Sequence, residues 1–280
     1  MAHEPQIASQ PVAPHAAAPV ARASRRRFWL AAVLAAAVLG FVGSSWHRYV
    51  TLERELTEAA LARHAAVGSL AASTLAVKFE RLVDVGVALA TRVILQELVA
   101  AGRWSEAAQI LQRVPHDFDF LDRLFLADVR GTLQADVPQA AEVRGRNFAH
   151  RDWFKGVSRD WRPYVSQLYR RSAAPRRNVI AVAVPIRGPG DGVAGILVLQ
   201  VKLETFFDWA RRIDLGAASR VLIVDAGWRT AFDSQSPASA QLEEGAADPL
   251  VQRLAPGAPQ AQVVRDASSG RDLVLGFAPA

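Results

Sequence analysis

The chain contains no cysteine among its 280 residues, so neither a disulfide framework nor a thiolate metal site is available to it. If the chain is exported, its core alone must hold it. Histidine is scarce: His3, His15, His47, His64, His116 and His150 are the full set, and no two form an HExxH or other metal-ligand spacing. No Gly-x-Ser-x-Gly elbow occurs. The one glycine-dense run, Arg187-Gly-Pro-Gly-Asp-Gly192, lacks the Lys-Ser/Thr that completes a phosphate-binding loop and reads as a hairpin. Catalytic residues, a metal and a cofactor are therefore not expected within these residues.

What the chain does have is apolar content of 51% and a net charge of +6, from 33 basic and 27 acidic residues. The excess sits in two places. Arg22, Arg25, Arg26 and Arg27 precede an apolar run, and residues 146–177 carry nine basic side chains against Asp152 and Asp160. Elsewhere the charge is close to balanced.

From Phe28 to Trp46 no residue is charged. As a helix these nineteen residues reach roughly 28 Å, close to a hydrocarbon core of about 30 Å. Trp29 and Trp46 stand near the two ends, where amphipathic rings favour the interface. With arginine only on the N-terminal side, the positive-inside rule leaves the N-terminus in the cytoplasm and sends the rest across. A cleaved signal peptide is the competing reading, but its apolar core would be unusually long and Gly43-Ser44-Ser45 is a poor cleavage site. Either way the remainder is exported, which removes nucleic acid as a target of the basic stretch. Residues 1–24 are Ala- and Pro-rich without apolar periodicity and are expected to be disordered; 25–48 form the basic flank and membrane helix.

Residues 49–102 lack proline and place apolar side chains (Leu52, Leu56, Leu61, Val67, Leu70, Leu82, Val83, Val87) at spacings of three and four. They predict one long helix ending near Gly102, or two helices broken near Gly68. It is either a dimerising stalk that transmits motion or a helix packed on its own domain.

Two segments then repeat. Leu124–Leu133 (LFLADVRGTL) and Val221–Thr230 (VLIVDAGWRT) both read as strand, Asp-led turn, strand, with Asp128 and Asp225 97 residues apart. Asn178–Pro185 (NVIAVAVP) and Asp272–Pro279 (DLVLGFAP) place their prolines 94 apart. Nearly equal offsets predict two copies of one α+β module. Strands are expected at about 121–127, 132–136, 163–170, 178–186 and 193–202, with a helix over 152–159 and another over 203–213. The second copy is expected to hold strands at 219–225, 229–233, 260–265 and 272–278 and a helix near 248–254. It has no counterpart to the strand at 193–202, so it is expected to be incomplete and the chain a fragment or a truncated product.

This order resembles the double Cache family of bacterial extracytoplasmic sensors over residues 28–280. The most specific part is His150-Arg151-Asp-Trp153-Phe154 followed by Tyr164-Val-Ser166, similar to that family's Arg-x-Trp-aromatic helix and Tyr-x-Ser strand. The resemblance implies an α+β architecture: a membrane helix, a stalk helix, a membrane-distal PAS-like module over 103–214 and a membrane-proximal one over 215–280. It implies a small ligand in the distal module and an output to a kinase, a chemotaxis module or a cyclic-dinucleotide enzyme. The amino-acid-binding branch carries Tyr where this chain has Arg146, and Asp where it has Gln200, so a free amino acid is not the expected ligand.

The candidate ligand residues are Arg151, Trp153, Phe154, Tyr164 and Tyr169. Arg151 offers a two-pronged fork for a carboxylate, sulfonate or phosphate; Trp153 and Phe154 offer walls; the tyrosines offer hydroxyls. Against this, Arg151 can pair with Asp152 or Asp160, and Trp153 can be module core. Arg159, Arg162, Arg170, Arg171, Arg176 and Arg177 read as a solvated rim, and Asp128 and Asp225 as turn residues. Expected partners are a small anion, the lipid bilayer through 28–46 and a second copy through the stalk. The competing function is a periplasmic protein-binding adaptor with no small ligand.

Overall fold

The computed structural model describes residues 20–214, 216, 219–235, 261–265 and 272–279. It divides into two compact units, Met1–Ala59 and Ala60–Ala280.

The first unit is the leading part of helix α1 (Val20–Ala90). Its apolar run is exposed around the whole circumference, with Phe28, Trp29, Phe41 and Trp46 each about two-thirds or more accessible (73%, 67%, 72% and 69%). By length and composition α1 is long and apolar enough to cross a membrane. Residues 1–19 of the expected disordered tail lie outside the described residues. Residues 20–24 are helical instead. Pro19 is the last proline before the run, and Ala and Arg beyond it are strong helix formers.

The second unit begins in α1, which is unbroken at Gly68 and ends at Ala90. The break falls at Thr91–Arg92. The Thr91 hydroxyl donates back to the Val87 carbonyl (2.9 Å), a bond that competes with the helix ladder, and Arg92 is extended (φ −63°, ψ 121°). The chain then re-enters helix as α2 (Val93–Ala100), which buries Leu95, Leu98 and Val99. The expected single helix over 49–102 is thus two, because only a redirected α2 brings these three side chains onto the sheet. The short helices α3 (Trp104–Ile110) and α4 (Val114–Asp117) complete this layer.

A six-stranded antiparallel sheet follows, ordered β2-β1-β6-β5-β3, with β4 also on β5. Its strands are β1 (Leu121–Ala127), β2 (Leu133–Val137), β3 (Tyr164–Val165), β4 (Tyr169–Arg170), β5 (Asn178–Arg187) and β6 (Val193–Val201). The expected strand at 163–170 is two short ones: Ser166 still bonds Ala181 of β5, and the chain leaves β5 at 167–168. Side chains alternate across the sheet. Leu124, Leu126, Val182, Val184, Leu197 and Leu199 pack on one face with Leu82 and Leu89 of α1 and with α2 and α3. Phe125, Ala127, Ala181, Ala183, Ile196 and Val198 pack on the other with Trp153 and Val157 of α5 (Asp152–Asp160). Between residues 203 and 213 the expected helix is one turn, α6 (Leu203–Phe206), continued by a 3-10 segment (Asp208–Arg212).

The second module contributes two antiparallel pairs among the described residues: β7 (Leu222–Val224) with β8 (Thr230–Asp233), and β9 (Ala261–Arg265) with β10 (Asp272–Gly276). The expected helix near 248–254 lies outside the described residues. The two Asp-led turns have the same construction. Asp128 Oδ1 accepts from the amides of Arg130 and Thr132, and Asp225 Oδ1 from those of Gly227 and Arg229, all at 2.9 Å. The fourth position of each turn is left-handed: Gly131 (φ 81°) in the first copy, Trp228 (φ 62°) in the second, where the glycine falls one place early.

Candidate ligand site

The sheet face opposite α1 forms one wall of a cavity. Cross-strand neighbours Arg123 (β1) and Gln200 (β6) share that face with Phe125. The opposite wall comes from the start of α5 (Arg151, Trp153), from β4 (Tyr169) and from the loop after it (Arg171). The cavity is small, with an empty volume of about 340 Å³ that is partly open to solvent.

Arg151 precedes α5 as its N-cap residue, extended (φ −76°, ψ 149°) and with no side-chain capping bond. Its guanidinium lies 5.2 Å from the centre of the Tyr169 ring, and its Nη2 donates to Ser172 Oγ at 3.3 Å. Among the described residues no carboxylate pairs with it. Asp152 accepts instead from the Gln167 amide (2.8 Å) and the Tyr164 hydroxyl (3.2 Å), and Asp160 lies near Arg162 (3.9 Å).

The other two guanidiniums at the cavity are neutralised. Arg123 Nη1 donates to Asp136 Oδ2 at 3.0 Å, with both side chains almost fully buried. Arg171 pairs with Asp122, which also lies 3.8 Å from Arg177, and Arg171 Nε donates to the Pro175 carbonyl at 2.7 Å. Burial pushes the Asp136 carboxyl up, against the lowering effects of Arg123 and the Ala140 amide; burial lowers Arg171, and the neighbouring Arg177 lowers it further. Among the described residues Arg151 is therefore the cavity guanidinium without a carboxylate partner.

Tyr169 accepts from Gln200 Nε2 at 2.7 Å, and burial pushes its phenol up to about 12. Gln200 Oε1 is buried without a partner, as are Arg123 Nε and Asp136 Oδ1.

Of the five side chains singled out in the sequence, the fold brings Arg151, Trp153 and Tyr169 together. Trp153 is 1% exposed, edge-on to Phe125 at 5.4 Å; it is core and cavity wall at once. Phe154 and Tyr164 are not at the cavity. Phe154 packs over the Gly131 turn, and Tyr164 lies on the bare backbone of Gly156 with its hydroxyl held by Asp152. Arg171, read as solvated rim, is buried: Asp122, one place from Arg123 on β1, draws it inward. Sequence reasoning passed over Arg123, Asp122 and Asp136. Charged residues inside otherwise apolar strands were the available sign of them.

No family model and no curated protein matches the sequence. Solved structures do. The ligand-binding domain of the Pseudomonas fluorescens chemoreceptor CtaA, in complex with L-isoleucine, superposes with TM-score 0.59 at 17% identity, covering 80% of this chain and 87% of that one. The extracellular domain rpHK1S-Z16, described as a histidine kinase, gives TM-score 0.53 at 15% identity over 80% and 89%. The chain has the double Cache fold. The ligand-binding domain of the Campylobacter jejuni chemoreceptor Tlp3, in complex with 4-methylisoleucine, is similar too: TM-score 0.50, 15% identity, 64% of this chain and 71% of that one.

Proposed function

We propose that the distal Cache module is the sensor of a bacterial membrane receptor and binds a small organic anion at Arg151. The observation that carries this is the guanidinium of Arg151: it lines the cavity, rests on Tyr169 and has no carboxylate of its own. An anion there gains charge-assisted hydrogen bonds while apolar walls exclude water. That related folds bind amino acids in CtaA and Tlp3 supports a small-molecule role without fixing the ligand.

In this reading residues 28–46 anchor the chain in the inner membrane, the N-terminus is cytoplasmic and the modules are periplasmic. They act by binding, with no catalysis of their own. Leu56, Leu70 and Val77 stay exposed on α1 at multiples of seven, the spacing of a seam between two helices, which supports a homodimer through the stalk. A route to the second module is also built in. Tyr169 lines the cavity, and its neighbour Leu168 donates its amide to Asp225 Oδ2 at 3.0 Å, while Arg229 Nη2 donates to Gln167 Oε1 at 3.1 Å. A ligand that moves Tyr169 moves that link.

The small cavity favours one other reading, a domain that binds a periplasmic protein and no small ligand. A thermal-shift screen of the full chain in nanodiscs, against small carboxylates, phosphates, sulfonates, amino acids and purines, separates the two. Stabilisation by organic anions is expected; a folded chain that no compound stabilises supports the protein partner.

A further inference from the structure

The anion reading leaves the ligand's second functional group open, and the inference below rests on that reading. Gln200 is 5% exposed and lines the same cavity as Arg151. Its Nε2 is committed to the Tyr169 hydroxyl, and its Oε1 accepts nothing. The ring of Tyr169 joins the two groups: Arg151 lies against its face and Gln200 at its hydroxyl. An anion held by Arg151 therefore has a buried, neutral, unsatisfied acceptor within the same small space.

We infer that the ligand is an anion carrying a neutral hydrogen-bond donor, of the hydroxycarboxylate type, with the donor on Gln200 Oε1. A hydroxyl satisfies that oxygen and asks for no counter-charge. A methylene in its place leaves the buried oxygen unpaired. An ammonium reaches the oxygen but needs a carboxylate to replace its hydration, and both carboxylates at the cavity already hold arginines: Asp136 with Arg123, Asp122 with Arg171. The residual field there is positive and opposes a cation.

Matched triads of probes isolate this one group. Propionate, L-lactate and L-alanine differ at a single substituent, as do succinate, L-malate and L-aspartate. Each is titrated calorimetrically up to millimolar concentration into the full chain in nanodiscs. The hydroxy acid is expected to bind roughly 5- to 100-fold more tightly than the unsubstituted acid, the span set by leaving one buried acceptor unpaired. It is also expected to exceed the amino acid by about tenfold or more. In Gln200→Glu, of the same size, the order of hydroxy acid and amino acid reverses; in Gln200→Leu the hydroxyl preference disappears while the unsubstituted acid still binds. Equal binding of hydroxy and unsubstituted acids, lost in Arg151→Ala, overturns the inference and leaves the anion reading standing. Preference for the amino acid in the wild type overturns the inference. Binding of none of the six overturns the inference together with the anion reading.

Discussion

Removing the carboxylate of Asp136 tests whether the cavity wall rests on a buried ion pair. Asp136 Oδ2 accepts from Arg123 Nη1 and from the Ala140 amide, each at 3.0 Å, and the two charged side chains are 0% and 6% accessible. In Asp136→Ala the Arg123 guanidinium stays inside without a counter-ion. Breaking a buried pair on one side costs about 3–5 kcal/mol. For a domain of this size that lowers Tm by roughly 6–20 °C. Urea denaturation of the full chain in nanodiscs, followed by tryptophan fluorescence and far-UV circular dichroism, reads the loss. The paired replacement Arg123→Met with Asp136→Leu removes both charges and restores apolar contact, so it is expected to lie far nearer the wild type than the single variant. A single variant within about 1 kcal/mol of wild type, or a double variant no better than the single, refutes the assignment of the pair as buried and mutually dependent.

Other outcomes follow from the same geometry. Burial raises the Asp136 carboxyl, so the folded chain holds its proton more tightly than the unfolded chain; its contribution to stability falls as pH rises from the ordinary carboxylate value through the folded one, and Asp136→Asn removes that slope from a pH series of urea midpoints. With the Tyr169 phenol pushed up to about 12, folding is opposed increasingly as pH rises from the ordinary tyrosine value through 12; a phenolate absorbance titration of Tyr169→Phe is expected to lose its component near pH 12. Gly131→Ala is expected to cost about 1–3 kcal/mol, because φ is +81° and the added carbon would lie 2.9 Å from Phe154 and 3.0 Å from the Ala149 amide; an unchanged denaturation midpoint contradicts the turn geometry. Asp225→Ala strips the acceptor from Leu168 and from its own turn, and hydrogen exchange at the Leu168 amide is expected to accelerate while exchange within β1 and β6 stays slow.

The elements legible in the sequence were those set by local chemistry. An uncharged run of nineteen residues marks the apolar part of α1, and near-continuous apolar runs in β1, β5 and β6 mark a sheet covered on both faces. The paired Asp turns are readable because an aspartate satisfies the turn amides itself, so four residues determine the geometry. The break in α1 was not readable in this way: Thr91 and Arg92 are ordinary helix residues, and what redirects the chain there is the burial of Leu95, Leu98 and Val99 against a sheet formed later in the sequence. The site divides along the same line. Arg151 and Trp153 follow from a short motif on one helix. Tyr164 was drawn to the site by the same motif, yet the fold ties it to Asp152, fifteen residues from the Gln167 amide that shares this carboxylate. Arg123 and Asp136 reach the site through strand register, which pairs β1 with β2 on one edge and with β6 on the other; Gln200 was reachable only through the family resemblance, since no local pattern encodes that register.

Among the described residues Arg151 is the cavity guanidinium without a carboxylate partner, and the proposal that it holds the ligand stands on this. Calorimetric titration of the best anion from the screen into the wild type, Arg151→Ala and Arg176→Ala tests it most directly, since Arg176 is an exposed arginine of the same basic stretch. Binding by the wild type and Arg176→Ala is expected, with a loss of about tenfold to a hundredfold or more in Arg151→Ala, the worth of a charge-assisted pair. Equal affinity in all three proteins would contradict it and assign the anion to the diffuse positive surface.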